Sequence, residues 1–357
     1  MLEFLKRSYI MGVESCVPRR NGNNFGKEQR MIYLNNIEKT IHKPAASSLD
    51  TVKCRQIAEL ICRLLTVRDP DCIYLTEDGK GVELSLRAFI RKGDHVVAAA
   101  SCGERILGVL KNLGAELSVL PDDPYLAPRY EKLDELFRPD TRAVVCIHGI
   151  RATGNVIDLE RVCATAKQHN ALVIADGSYA CGAIDVSLES LGPDVYCFSG
   201  KNMLMGPEGI GGICLKQGLD ARPLQKLLEE EPAAFTENTL RSFAASLQFI
   251  LDTGIYGITM LPHRLAKRFF ESAKAMDGVT VCGDYREGER LPVIAVCAEG
   301  FTAEEICQYM KKREILIGVE GGMARFSFGY FNTRPQVKET VQALMDMMGI
   351  DEPYLLP

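Results

Sequence analysis

The 357-residue chain has no tryptophan, only five histidines and no excess of positive charge. Its formal net charge is −5 and its pI lies near 5.7, so it carries no electrostatic footprint for nucleic acid or an anionic membrane surface. No apolar run reaches the roughly 20 residues that a transmembrane helix needs. The first twenty or so residues have no long apolar core behind their charges and make a poor signal peptide. These absences point to a cytoplasmic protein with neither nucleic acid nor membrane as partner. The 13 cysteines are scattered singly, with no CxxC pair and no Cys/His cluster at zinc spacing. They read as reduced thiols used as small apolar core residues, Cys146, Cys197 and Cys214 in strand-like runs among them, and no metal site is expected.

What is present is an ordinary globular composition, 46% hydrophobic and 25% charged, at a length suited to about two domains. Residues 1–30 are polar and patternless and read as a mobile extension, with Met31 as an alternative translation start. Residues 31–50 form an N-terminal arm that opens on the strand-like Ile32-Tyr33-Leu34. From there to residue 238, helical and strand patterns alternate. Ala143–Ile147 and Ala171–Ala175 are apolar without alternation, as in a parallel sheet covered on both faces. This rhythm predicts an α/β large domain of three layers around a mainly parallel sheet. Over 239–357 a long helical stretch, interrupted near Gly254 and Pro262, leads into hairpin-like strands and helices, a smaller α+β domain.

In open parallel sheets, ligands sit beyond the carboxyl ends of the strands. The residues there are Gly79-Lys80-Gly81, Ser101-Cys102-Gly103, His148 to Gly154, Asp176, and Ser199-Gly200-Lys201-Asn202. Asp176 ends a fully apolar strand, and a buried carboxylate needs a cationic partner. By itself it reads equally as a turn or helix-cap residue.

The run from His148 to Gly154, Asp176-Gly177, Asp185-Val186, Asp194, Ser199-Gly200 and the Gly206-Pro207-x-Gly-x-Gly-Gly segment together resemble the class V aminotransferase and cysteine desulfurase family. Ala324-Arg325-Phe326-Ser327 and Tyr330 to Thr333 resemble its closing motif, and Tyr33-Leu34-Asn35-Asn36 its N-terminal one. The resemblance implies the PLP-dependent transferase type I fold, pyridoxal 5'-phosphate (PLP) as cofactor, and a homodimer with sites at the subunit interface. It implies that Asp176 faces the pyridine nitrogen, that Ser199 and Thr236 reach phosphate, and that His148 lies with the cofactor-binding residues. Arg325 would bind a substrate carboxylate through its planar fork, with Asn36 beside it.

Several positions depart from the family pattern. The family's Schiff-base lysine aligns with Asn202, and Lys201 takes the place of the preceding histidine. The ring-stacking histidine aligns with Gly103, a phosphate-binding threonine with Lys80, an asparagine near the ring oxygen with Arg151, and a glutamine with Tyr179. The span Gly318–Met323, where the family's catalytic-cysteine loop falls, has no cysteine, which argues against classical desulfurase chemistry. Three readings stay open. The chain is an active enzyme using Lys201 as nucleophile, its pKa lowered by Lys80 and Arg151. Or it is a relative that binds PLP without a covalent link, or a small amino-acid-like or other anionic ligand. Or it is a non-catalytic or scaffold partner of an active paralogue.

Overall fold

The computed structural model describes residues 31–38, 53–123, 128–285 and 290–352. The expected extension 1–30, the arm beyond residue 38 and the choice between Met1 and Met31 lie outside the described residues. In chain order the elements begin with β1 (Ile32–Tyr33), α1 (Cys54–Leu65), β2 (Ile73–Thr76), α2 (Gly81–Phe89), β3 (His95–Ala99), α3 (Gly103–Asn112) and β4 (Glu116–Leu120). They continue with β5 (Thr141–Ile147), α4 (Leu159–Gln168), β6 (Leu172–Asp176), α5 (Leu188–Leu191), β7 (Val195–Ser199) and β8 (Gly211–Leu215). Then follow α6 (Arg222–Glu230), α7 (Glu237–Thr253), α8 (Ile255–Lys274), β9 (Val279–Cys282) and β10 (Val293–Ala298). The last are α9 (Ala303–Lys312), β11 (Ile315–Leu316), β12 (Gly318–Glu320), β13 (Met323–Ser327) and α10 (Arg334–Met348).

The large sheet has seven strands in the order β2-β8-β7-β6-β5-β3-β4. β4, β3, β5, β6 and β7 pair in parallel, and β8 is reversed against both β7 and β2. β3, β7 and β8 are buried at every position, which is why their sequences show no polar alternation. Cys146 in β5, Cys197 in β7 and Cys214 in β8 are buried, and burial pushes their thiols up, as expected of apolar packing groups.

A second, antiparallel sheet has the order β12-β13-β10-β9, and β1 pairs in parallel with β11. The apolar interior falls into two clusters. One gathers the large sheet, α1 to α4 and α7. The other gathers α8, α9, α10 and the inner faces of β10 and β13, together with Ile32 and Leu34 of the arm. The clusters part within α8, between Ile258 and Leu265.

Helix ends follow local chemistry. α9 starts behind Thr302, whose hydroxyl accepts the Glu305 amide while the Glu305 carboxylate accepts the Thr302 amide. Gly254, at φ 77°, separates α7 from α8, and the two helices meet at 84°. The expected second interruption at Pro262 does not occur: the proline lies inside α8 with its ring buried. A proline within a helix loses a single amide bond, and that packing offsets the penalty of about 3 kcal/mol. Among the described residues no single helix is long and apolar enough to cross a membrane.

Candidate functional site

Because β8 is reversed, β2 runs in the same direction as the parallel strands. The turns after β2, β3, β5, β6 and β7 therefore share one edge of the large sheet. Asp176, at the end of β6, is 4% exposed. Its Oδ1 accepts the Ser178 amide at 3.0 Å, and its Oδ2 lies 3.6 Å from Nη2 of Arg105. Burial pushes this carboxyl above its ordinary range, and Ser178 and Arg105 offset only part of that shift. Arg105 sits on the first turn of α3 and also donates to the Gly79 carbonyl at 3.3 Å. It lies beside Gly103, whose φ of +69° leaves open space where a side chain would project.

The β7–β8 connection carries the next group. Ser199 is buried, and its hydroxyl makes no hydrogen bond among the described residues. Asn202 is 3% exposed, and its amide donates to the Ser178 carbonyl at 3.0 Å. Lys201 turns to Asp78, with Nζ to Oδ2 at 2.9 Å. That bond to Asp78 raises the lysine above its ordinary value and keeps it charged, the opposite of the lowered pKa expected of a nucleophilic amine. The loop is pinned by the Gly206 amide on the Gly200 carbonyl (2.8 Å) and by the Ser246 hydroxyl on the Met205 carbonyl (2.8 Å). A Cβ on Gly206 would lie 2.6 Å from Phe243 and 2.7 Å from the Gly200 oxygen, so the loop closes only over glycine.

Arg151 and Arg325 meet in one ion cluster. Arg325, on β13, is fully buried and binds Glu38 at 2.6 Å, Asn35 at 3.1 Å and Glu320. Arg151 reaches the same Glu38 at 2.9 Å and the same Glu320 at 2.8 Å, and lies over the Tyr179 ring at 5.6 Å. Burial opposes the charge on Glu38, yet Arg325 and Arg151 outweigh it and hold the carboxyl below its usual range. Two guanidiniums thus face two carboxylates of the same chain.

The remaining expected site residues serve the frame. His148 is buried, its Nδ1 2.9 Å from the Tyr196 hydroxyl, and burial lowers its pKa to about 4. Asn36 donates to the Ser327 carbonyl (2.8 Å) and to Asn332 (3.0 Å), tying the arm to β13. Lys80 is exposed at the start of α2, 3.9 Å from Glu83 on that helix. Thr236 is exposed and caps α7, its hydroxyl accepting the Thr239 amide at 3.1 Å. Arg105, Asp78, Glu38 and Glu320 are the site residues that sequence reasoning missed. Arg105, Asp78 and Glu38 have their partners far away along the chain, and Glu320, although five residues from Arg325, also pairs with the distant Arg151; no local pattern marks them.

A pyridoxal phosphate fits part of this arrangement. Asp176 is a buried carboxylate that its exposed partner Arg105 offsets only in part, and Ser199 has a buried hydroxyl without a hydrogen-bond partner among the described residues. The covalent tether does not fit, since position 202 holds an amide and Lys201 is engaged by Asp78. Among the described residues no group of three His, Cys, Asp or Glu side chains could hold a metal ion.

Residues 27–340 match the family described as aminotransferase class-V. A probable cysteine desulfurase of Aeropyrum pernix is 27% identical over 193 residues, which cover 52% of this chain and 46% of that protein. The cysteine desulfurase of Salmonella typhimurium is 27% identical over 194 residues, covering 51% and 47%. The match spans about half the length of these relatives. Among solved structures, the Escherichia coli cysteine desulfurase CsdA aligns with a TM-score of 0.75 and 18% identity over 89% of this chain and 95% of that one. A C-DES mutant with glycine covalently linked to its PLP cofactor aligns at 0.77 and 15% identity, over 89% and 97%. These structures share the PLP-dependent transferase type I fold, as the sheet order and layers predict. On this match from residue 27 to residue 340, the chain belongs to the class V aminotransferase family, whose members depend on pyridoxal phosphate.

Proposed function

We propose that this chain holds pyridoxal phosphate, or a small amino-acid-like anion presenting the same groups, without the lysine tether, and that it does not perform lysine-dependent chemistry. One observation carries this reading. The amide of Asn202 is buried on the Ser178 carbonyl, while the neighbouring amine of Lys201 is bound and kept charged by Asp78. Asp176 would hold a protonated ring nitrogen and Ser199 a phosphate oxygen. When bound, the cofactor supplies an electron sink; on this reading Asn202 and the Asp78-bound Lys201 leave the described residues without a lysine to react on it. The β12–β13 turn has no cysteine to act as a sulfur-accepting nucleophile, so desulfurase activity of the kind named for its relatives is not expected.

A second reading keeps Lys201 as the reactive amine. It is supported by the place of Lys201 next to Asn202 in the β7–β8 connection, with its side chain 35% exposed. Absorbance of the purified chain with added PLP, before and after borohydride, separates the two. The expected result is PLP that survives dialysis yet leaves no mass fixed on the chain after borohydride. Mass fixed on Lys201 would establish the second reading instead. Failure to retain PLP at all would remove the second reading and, from the first, PLP as the ligand.

A further inference from the structure

Cys282 on β9 and Cys297 on β10 bring their sulfurs to 3.6 Å. The strand register explains the approach. Ala295 stands opposite Cys282, and Thr280 opposite Cys297, so the two cysteines are diagonal neighbours on one face of the small sheet. That face points away from the helices: Ile294, Val296 and Ala298 carry the other face into the second core. Cys297 is exposed and Cys282 partly so. The Cys297 thiol continues the chain of contacts to the Gly322 carbonyl, 3.9 Å away, in the β12–β13 turn.

We propose that Cys282 and Cys297 form a dithiol modification site that closes to a disulfide under a peroxide oxidant and captures soft, thiol-seeking ligands such as trivalent arsenicals. Cys297 meets the oxidant first. Its sulfur takes one oxygen from the peroxide to become a sulfenic acid, and one water leaves. The Cys282 sulfur then attacks that sulfur, the S–O bond breaks, a second water leaves, and two thiols have lost two electrons to one peroxide. Burial and the neighbouring thiol hold Cys282 up at about 12, which disfavours it as the first thiol to meet peroxide; its attack in the second step rests on the 3.6 Å approach of the two sulfurs. A disulfide requires the sulfurs to approach to about 2 Å, which for diagonal neighbours takes side-chain rotation together with a small shift of β9 against β10.

The pair also shares its sheet face with the ion cluster. Arg325 stands opposite Ala295, and Ala295 opposite Cys282, so Arg325 and Cys282 lie two strand spacings apart in one row, about 10 Å. Closing the bond removes the S–H that reaches Gly322, two residues from Glu320. The modification is thereby coupled to the turn that supplies one carboxylate of the cluster.

The test treats the reduced full-length chain with hydrogen peroxide, caps free thiols with N-ethylmaleimide and maps peptides without reduction. The expected product joins Cys282 to Cys297 and is reversed by dithiothreitol. Phenylarsine oxide should protect both from capping in the unmodified chain, and neither in C282S or C297S. In C282S, dimedone should trap a sulfenic acid on Cys297. Both cysteines capped after peroxide has oxidised others, or a Cys297 bond between two copies, would overturn the proposal; the wild-type map decides even if a variant fails to fold.

Discussion

Asp176 shows how far a single residue could be read from sequence and where that reading stopped. Its place at the end of an apolar strand marked it as a buried acid. Its partner Arg105 was hidden, because a first-turn arginine on a separate helix has no local signature. Arg105 is exposed and 3.6 Å away, so it screens the carboxylate weakly. The folded pKa therefore lies above the unfolded one. An acid with a raised folded pKa favours the folded state most below the unfolded carboxylate range, and stability falls as pH rises through that range to the folded value. Asp176→Asn should then stabilise the chain without cofactor at pH 7 by on the order of 1 kcal/mol, flatten that part of the pH dependence, and abolish PLP retention. Urea unfolding at pH 4 and pH 7, with a dialysis assay alongside, checks all three. A variant that is less stable than wild type at pH 7 would mean that Arg105 already satisfies the acid.

At the scale of elements, the apolar strands and helix stripes were plain because each is a local pattern. α6 was not, since Leu224 is its one fully buried residue, and neither were β11 and β12, which are too short for a period to show. The β7–β8 loop was legible as a motif but not as geometry. Its glycines were read only as part of the family motif, whereas the structure uses Gly206 for close approach to Phe243 and to the Gly200 carbonyl. Gly206→Ala should cost about 1–3 kcal/mol by overpacking and disturb the Lys201–Asp78 contact. Gly108→Ala, inside α3 with nothing within 4 Å of the added methyl, should gain about 0.5–1 kcal/mol. Thermal unfolding of the two variants ranks them, and equal effects would show that the loop yields around residue 206.

The whole molecule joins two apolar cores, and the ion cluster sits where the arm, the large sheet and the small sheet meet. Arg151 follows β5 of the first core, Arg325 and Glu320 belong to the second sheet, and Glu38 comes from the arm. Sequence reading placed both arginines in the pocket but saw them as free positive charge. The acids that neutralise them lie up to 287 residues away along the chain, a separation that no local pattern reports. The cluster therefore works as a clasp as well as a filled anion seat. Arg151→Gln leaves two carboxylates on one buried guanidinium. Loss of one partner of a buried pair costs about 3–5 kcal/mol, but Arg151 is 31% exposed and its acids 39% and 27%, so a loss of about 1–2 kcal/mol is expected after screening. The stronger consequence is for cooperativity. With the clasp opened, hydrogen exchange in urea should show β10, β13 and α10 losing protection before β5, β6 and β7, where wild type loses both together. Glu83→Gln, which removes a partly buried acid held only by long 3.9 Å pairs to Lys80 and Arg87, should change neither quantity. If Arg151→Gln lowers stability while the two cores still open as one, the apolar contact along α7 and α8, and not the ion cluster, is what couples them.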